Sequence, residues 1–183
     1  MLLDAAKASL LLIDMQERLL PAMSGGEDVV RCCSILLKAA KALDVPVTVS
    51  EQYPKGLGAV VAPLRDETGN APVFQKLAFS CWRDDALKAH LIRHHEAGRP
   101  LVVVAGIESH VCVLQSCIDL AQAGFCVFAV SDAMASRTTA SQALAERRMR
   151  HAGVQVINTE MAVFELLGKV GTAEFRALSG LIR

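Results

Sequence analysis

The sequence LVVVAGIESHVCVLQSCIDLAQAG, residues 101–124, contains one complete strand-and-helix unit. Residues 101–105 are apolar at successive positions, which is typical of a strand that is covered on both faces. Residues 111–123 are apolar nearly all round and end at Gly124, which predicts a helix central to the core. A strand covered on both faces favours a central parallel sheet between two layers of helices.

Similar units recur along the whole chain. Short apolar runs rich in β-branched residues alternate with longer amphipathic stretches, as in repeated strand–helix–strand units. We therefore expect an α/β fold, a three-layer sandwich with a six-stranded, mostly parallel sheet and helices on both faces. The other predicted strands are residues 9–13, 46–50, 73–75, 126–130 and 154–158.

Helices are predicted between these strands from the spacing of the apolar residues. They cover the segment from Glu27 to Asp44, residues 83–97 and 138–152, and two short pieces of the tail, 160–183. Residues 51–70 contain Pro and Gly and are predicted to be the only long irregular segment. Loops of that length in compact domains are usually functional.

Composition and charge exclude several classes of protein. The 183 residues are 52% hydrophobic, which is too apolar for a disordered chain and sufficient for a single domain over residues 1–183. Lys plus Arg and Asp plus Glu both number 19, so no net charge attracts nucleic acid or an anionic membrane. No apolar run approaches the ~20 residues that cross a bilayer. We expect neither a nucleic-acid nor a membrane partner.

The six cysteines lie in or beside apolar segments, without a CxxC pair. This pattern fits small buried thiols in a reducing compartment. The first apolar run, residues 10–13, is too short for a signal-peptide core and has no basic leader. We therefore expect a cytoplasmic protein.

Three polar residues follow predicted strands: Asp14, Lys76 and Cys112. Ligands of open α/β sheets bind beyond the carboxyl ends of the strands, so these side chains are expected at one edge. A thiol at a helix N-terminus beside a lysine is expected to favour the thiolate. An aspartate close to both can accept the thiol proton and return it to a leaving group.

Each of these residues also has a purely structural interpretation. Asp14 can cap the turn after its strand, Lys76 can be a solvated surface lysine, and Cys112 can be a packed thiol. Only the joint placement of the three residues favours a catalytic site. Their spacing alone leaves the catalytic and the structural interpretations open.

The segments around these residues carry a resemblance. LLIDMQERL (11–19), QKLAFSCW (75–82) and AGIESHVCV (105–113) resemble the aspartate, lysine and nucleophile motifs of isochorismatase-like cysteine hydrolases. This superfamily includes nicotinamidases and carbamoylases. The resemblance covers nearly the whole chain in the same order, and it looks closest to uncharacterised isochorismatase-domain hydrolases.

The resemblance implies a Rossmann-like, isochorismatase-like hydrolase fold with Asp14, Lys76 and Cys112 as a catalytic triad. It also implies a cis peptide bond between Ile107 and Glu108, and an oxyanion hole made by the backbone N–H groups of Glu108 and Cys112. The implied reaction is hydrolysis of a small-molecule substrate at an amide or other C–N bond, through a thioester and without a cofactor. Many relatives assemble, so a homo-oligomer is expected.

The loop after the second predicted strand departs from the nicotinamidases. Those enzymes carry an Asp and histidines there that hold a metal, whereas this loop, SEQYPKGLG (50–58), has no histidine. Because zinc or iron sites need such ligands, we expect no metal and doubt nicotinamide as the substrate.

Four further residues are candidates for the substrate pocket. Tyr53, Phe79 and Trp82 lie in loops expected to cover the site, although all three fit core packing equally well. His110 lies just before Cys112 in the sequence. It could contact the substrate, but packing beneath the start of the helix is the favoured role. Arg137 is a candidate for bracing its loop or a neighbouring subunit.

Two other functions stay open at this point. One is a catalytically idle scaffold or binding protein with the same fold, which an intact triad disfavours. The other is a hydrolase of an ester or a vinyl ether. True isochorismatases generally cleave a vinyl ether without a cysteine nucleophile, so Cys112 disfavours that reaction.

Overall fold

Six parallel strands form one sheet in the computed structural model, which describes residues 1–182. The strands are β1 (Ala8–Ile13), β2 (Val47–Gln52), β3 (Val73–Lys76), β4 (Leu101–Ile107), β5 (Cys126–Ala135) and β6 (Gln155–Ile157). Their order across the sheet is β3–β2–β1–β4–β5–β6. The winding direction therefore reverses between β1 and β4, where folds of this kind bind ligands. The predicted α/β class is confirmed.

Within the described residues, eight α-helices connect and flank the strands. They are α1 (Gly26–Ala42), α2 (Pro54–Leu57), α3 (Ala62–Thr68), α4 (Asp85–Glu96), α5 (Leu114–Gln122), α6 (Thr139–His151), α7 (Thr159–Leu167) and α8 (Ala173–Ser179). Polar side chains set several starts: Asp84 accepts a hydrogen bond from the Leu87 N–H at the start of α4, and Thr138 accepts one from Ser141 at α6. No helix within residues 1–182 is long and apolar enough to cross a bilayer.

Both faces of the sheet are covered by apolar side chains. Leu10 and Leu12 of β1 pack in the same cluster as the buried face of α1, whereas Leu11 and Ile13 pack with Cys117 on α5. This alternation follows from the two-residue repeat of a strand. Strand β4 is apolar at every position, and β1 at all but Ser9, because each face contacts a helix layer.

Two predicted segments differ from the structure. Residues 111–123 are not one helix, because a π-helical turn, Ser109–Val113, precedes α5. Residues 51–70 are not irregular throughout, because they include the last two residues of β2 and both α2 and α3. Prolines occupy the first turns of both short helices, where their fixed φ favours helical geometry, and Leu64 anchors α3 in the core.

Gly106 allows β1 and β4 to approach each other closely at the carboxyl edge of the sheet. Its φ is +119°, and a Cβ there would lie 2.0 Å from the carbonyl oxygen of Ile13, its partner in the sheet register. Backbone cannot yield as a flexible side chain does, so only glycine fits this position.

We expect Gly106→Ala to lower the free energy of unfolding by at least about 3 kcal/mol, since it adds overpacking to backbone strain. Gly98→Ala is the matched control, because Gly98 has φ +84° and open space around its Cβ position. This control should lower the free energy of unfolding by only about 1–2 kcal/mol. Urea unfolding measures both, and equal losses would contradict the close approach.

Candidate active site

The three residues predicted to meet at one sheet edge do lie together there. Asp14 follows β1 with a left-handed φ of 51°, and its N–H donates to the Ser50 carbonyl at 3.1 Å. Lys76 is the last residue of β3, and Cys112 lies in the π-helical turn after β4. All three are buried, and Cys112 is 4% exposed.

A buried ion pair joins Lys76 to Asp14. Lys76 Nζ lies 2.7 Å from Asp14 Oδ2, and both side chains are 0% exposed. The ammonium also donates to Gln52 Oε1 at 2.7 Å and to the Phe79 carbonyl at 3.0 Å. Ser50 Oγ donates to Asp14 Oδ1 at 2.7 Å, so both carboxylate oxygens accept a hydrogen bond. A buried pair is stable only with partners of this kind.

This geometry decides between the interpretations of Asp14 and Lys76. Lys76 is not a solvated surface lysine, and Asp14 does more than cap a turn. Burial alone lowers the pKa of Lys76, but the charge of Asp14, the nearby thiols and the hydrogen bond to Asp14 hold that pKa above its ordinary value. Lys76 therefore stays a cation at neutral pH.

The Cys112 thiol faces the ion pair. Its Sγ lies 4.0 Å from Gln52 Oε1, the oxygen that also accepts from Lys76 Nζ, and the charge of Asp14 acts on the thiol. Burial raises the pKa of this thiol, Asp14 raises it further, and Lys76 only partly opposes them. Burial and the charge of Asp14 therefore do not favour the expected thiolate in the resting site. Cys112 lies inside a π-helical turn, not at the exposed first turn of an α-helix.

A thiol beside a carboxylate has a defined chemical capacity. The carboxylate of Asp14 is the nearby group that can accept the thiol proton when sulfur attacks. Lys76 then lies next to whichever of the two groups carries the negative charge. The site is therefore arranged for proton transfer coupled to nucleophilic attack.

The backbone around Glu108 leaves one N–H group without an acceptor among the described residues. The Glu108 carbonyl accepts hydrogen bonds from Val111 at 3.0 Å and Val113 at 3.2 Å but not from Cys112 between them. Among residues 1–182, no acceptor takes the N–H of Glu108. The Ile107–Glu108 peptide bond is cis. These are the positions where the resemblance implied oxyanion donors.

The pocket candidates differ in where they lie. Tyr53 lines a cleft of about 320 Å³ whose wall includes Lys76 but not Cys112. Phe79 is exposed, and its carbonyl binds Lys76. His110 Nδ1 is 2.9 Å from Ser136 Oγ, which fits the favoured packing role.

Trp82 does not cover the site. Its ring packs edge-on against Phe125, at 5.6 Å between centroids, with Lys88 Nζ 5.1 Å from the ring. Phe125 directly precedes β5, at the opposite edge of the sheet, so helix packing decides the position of Trp82. Within residues 1–182, no group of three or more His, Cys, Asp or Glu side chains is placed to hold a metal.

Ser50 and Gln52 are site residues that the sequence prediction missed. Both lie at the carboxyl end of β2, next to β1, and both bind the ion pair. The rule that inspects the ends of parallel strands would have included them if the strand order had been known.

The fold and site together define a class: a parallel α/β protein with a thiol, a carboxylate and a lysine at the carboxyl edge of its sheet. The chain matches the isochorismatase domain family over residues 8–161 and belongs to that family.

Individual relatives agree with this assignment. The chain is 37% identical over 161 residues to the secreted isochorismatase effector Isc1 of Phytophthora sojae, covering 85% of this chain and 74% of that protein. It is 37% identical over 170 residues to isochorismatase domain-containing protein 1 of Salmo salar, covering 93% of this chain but only 59% of that relative's length. The solved structure of MAR1 ribonuclease from Caenorhabditis elegans has a TM-score of 0.91 at 31% identity, covering 100% and 92% of the two chains.

We expect Lys76→Met to lower the free energy of unfolding by about 3–5 kcal/mol, because it leaves Asp14 buried without its cation. Lys38→Met is the control, since Lys38 pairs with Glu67 at 3.2 Å on the surface. That change should cost at most about 1 kcal/mol. Equal losses in urea unfolding would argue against a buried pair.

Proposed function

We propose that this chain is a metal-independent cysteine hydrolase that cleaves a small amide or another C–N bond through a thioester. The observation that supports this most is the Cys112 thiol next to the buried Asp14–Lys76 pair. Membership of the isochorismatase domain family is consistent with it.

The first step forms a bond between Cys112 Sγ and the substrate carbonyl carbon. The thiol proton moves to Asp14 as the bond forms, so no free thiolate is needed at rest. The carbonyl oxygen becomes an oxyanion that the N–H groups of Glu108 and Cys112 stabilise. Such donors act strongly because they are already oriented toward the developing charge.

The second step breaks the C–N bond. Asp14, now protonated, gives its proton to the leaving amine, and the acyl group stays on Cys112 as a thioester. Water then attacks the thioester while Asp14 accepts its proton, and the carboxylic acid product leaves as the thiol is restored. Lys76 keeps its charge throughout and holds Asp14 Oδ2 in place.

Metal independence is supported by the chemistry of the loop after β2. Residues 50–58 contain no histidine, and the polar side chains Ser50 and Gln52 bind the ion pair instead. We expect exhaustive dialysis against a chelator to leave the rate of hydrolysis unchanged. Loss of activity on dialysis, with recovery on adding zinc or iron, would overturn metal independence.

A test of function compares two cysteine variants on a panel of small amides, with ammonia release as the measurement. We expect Cys112→Ala to fold normally and to lose turnover. Cys126→Ala is the control, because Cys126 is partly buried on β5 and outside the site, and its turnover should match that of the unchanged chain.

The same panel separates the competing functions. Full activity of Cys112→Ala would remove the covalent mechanism. Inactivity of the unchanged chain on amides, with turnover of esters or vinyl ethers, would favour the other bond types. Inactivity on every member would favour an idle scaffold. An RNA sample belongs in the panel because the C. elegans relative is named a ribonuclease, and the net charge of zero predicts no cleavage.

A further inference from the structure

Glu108 is held by a bidentate ion pair that the proposed chemistry does not use directly. Arg137 Nε donates to Glu108 Oε2 at 2.9 Å, and Nη2 donates to Oε1 at 3.1 Å. The Glu108 side chain is 9% exposed, whereas the Arg137 side chain is 63% exposed. A paired guanidinium fork fixes a carboxylate in both position and plane.

Arg137 is attached to rigid parts of the fold. It lies two residues after Ala135, which pairs with Ile107 in the sheet register, and directly before Thr138, which caps α6. The carbonyl of Ser136, the residue before Arg137, accepts a hydrogen bond from the Ser24 N–H at 3.0 Å. The guanidinium therefore extends from an anchored backbone and is not a free surface side chain.

Glu108 is thus held at two separate groups. Its carbonyl accepts hydrogen bonds from two N–H groups of the π-helical turn Ser109–Val113, which we call the nucleophile turn. Its carboxylate is held by Arg137. The N–H of the same residue has no acceptor within residues 1–182. Fixing the carbonyl and the carboxylate leaves the Glu108 backbone little freedom to rotate.

We propose that Arg137 is a positioning residue of the oxyanion hole, which orients the Glu108 N–H through the Glu108 carboxylate. This inference rests on the proposed thioester mechanism. Arg137 does not touch the reacting atoms, and it acts only on steps in which an oxyanion forms. It should therefore affect acylation of Cys112 and leave alkylation of the same sulfur unaffected.

A second ion pair in the chain provides a matched control. Arg83 Nε lies 2.7 Å from Asp119 Oδ2 and Nη2 lies 3.2 Å from Oδ1, with side-chain exposures of 65% and 13%. The geometry and exposure resemble those of the Arg137–Glu108 pair. Arg83→Met therefore reproduces the loss of a half-exposed ion pair without touching the oxyanion hole.

The experiment compares Arg137→Met, Arg137→Lys, Arg83→Met and the unchanged chain with two reagents. Acylation of Cys112 by p-nitrophenyl acetate passes through an oxyanion and is followed by p-nitrophenolate release. Alkylation by iodoacetamide has no oxyanion and is followed by mass spectrometry of the Cys112 peptide. Thermal unfolding of each variant shows whether it folds.

We expect Arg137→Met to slow acylation about tenfold or more, which is less than complete loss of an oxyanion donor. Arg137→Lys keeps the charge but not the fork, so its rate should be intermediate. Alkylation should stay within about twofold of the unchanged chain in both variants. Arg83→Met should match the unchanged chain in both reactions. Glu108→Gln should slow acylation as well, with little further loss when combined with Arg137→Met.

Several results would overturn the inference. Normal acylation in a folded Arg137→Met or Arg137→Lys chain would show that the guanidinium does not position the N–H. Equal slowing of acylation and alkylation would show a general effect on the nucleophile turn. Failure of the unchanged chain to be acylated at Cys112, while iodoacetamide still labels it, would refute the proposed mechanism and this inference with it.

Discussion

The buried ion pair between Lys76 and Asp14 is the constraint on which the rest of the site depends. Two opposite charges without solvent are stable only when hydrogen bonds satisfy their remaining donors and acceptors. Ser50, Gln52 and the Phe79 carbonyl supply those bonds. The ends of β1, β2 and β3 must therefore meet at this edge, and the thiol of Cys112 is placed against a charge pair that controls its proton.

The sheet topology explains how distant segments meet there. Because β1 lies between β2 and β4, the residue after β1 faces side chains from both neighbours. Gly106 lets the β1 and β4 backbones approach where the nucleophile turn begins. The same edge then carries the Asp14 carboxylate, the Lys76 ammonium, the Cys112 sulfur and the backbone N–H of Glu108, each from a different strand end or turn.

Much of this arrangement could be predicted from the sequence because the apolar runs define the strands, and Asp14, Lys76 and Cys112 lie at or shortly after the ends of these runs. Three features could not. Ser50 and Gln52 depend on the pairing of β2 with β1, which the linear sequence does not contain. The raised pKa of Cys112 depends on how deeply sulfur is buried and on which charge lies nearer. The choice between a pocket role and core packing for Trp82 depends on the short turn after β3, which directs its ring toward Phe125.

The protonation state of Cys112 is the most direct test of the account. Thiolate absorbance can be titrated in the unchanged chain and in Asp14→Asn, with Cys112→Ser subtracted to remove the other five cysteines. The account predicts that Cys112 stays protonated past the ordinary thiol pKa of about 8.5 in the unchanged chain. In Asp14→Asn, where only Lys76 remains charged beside it, the thiolate should form at lower pH. An ordinary titration in the unchanged chain, or the same titration in both chains, would contradict control of the thiol by the ion pair.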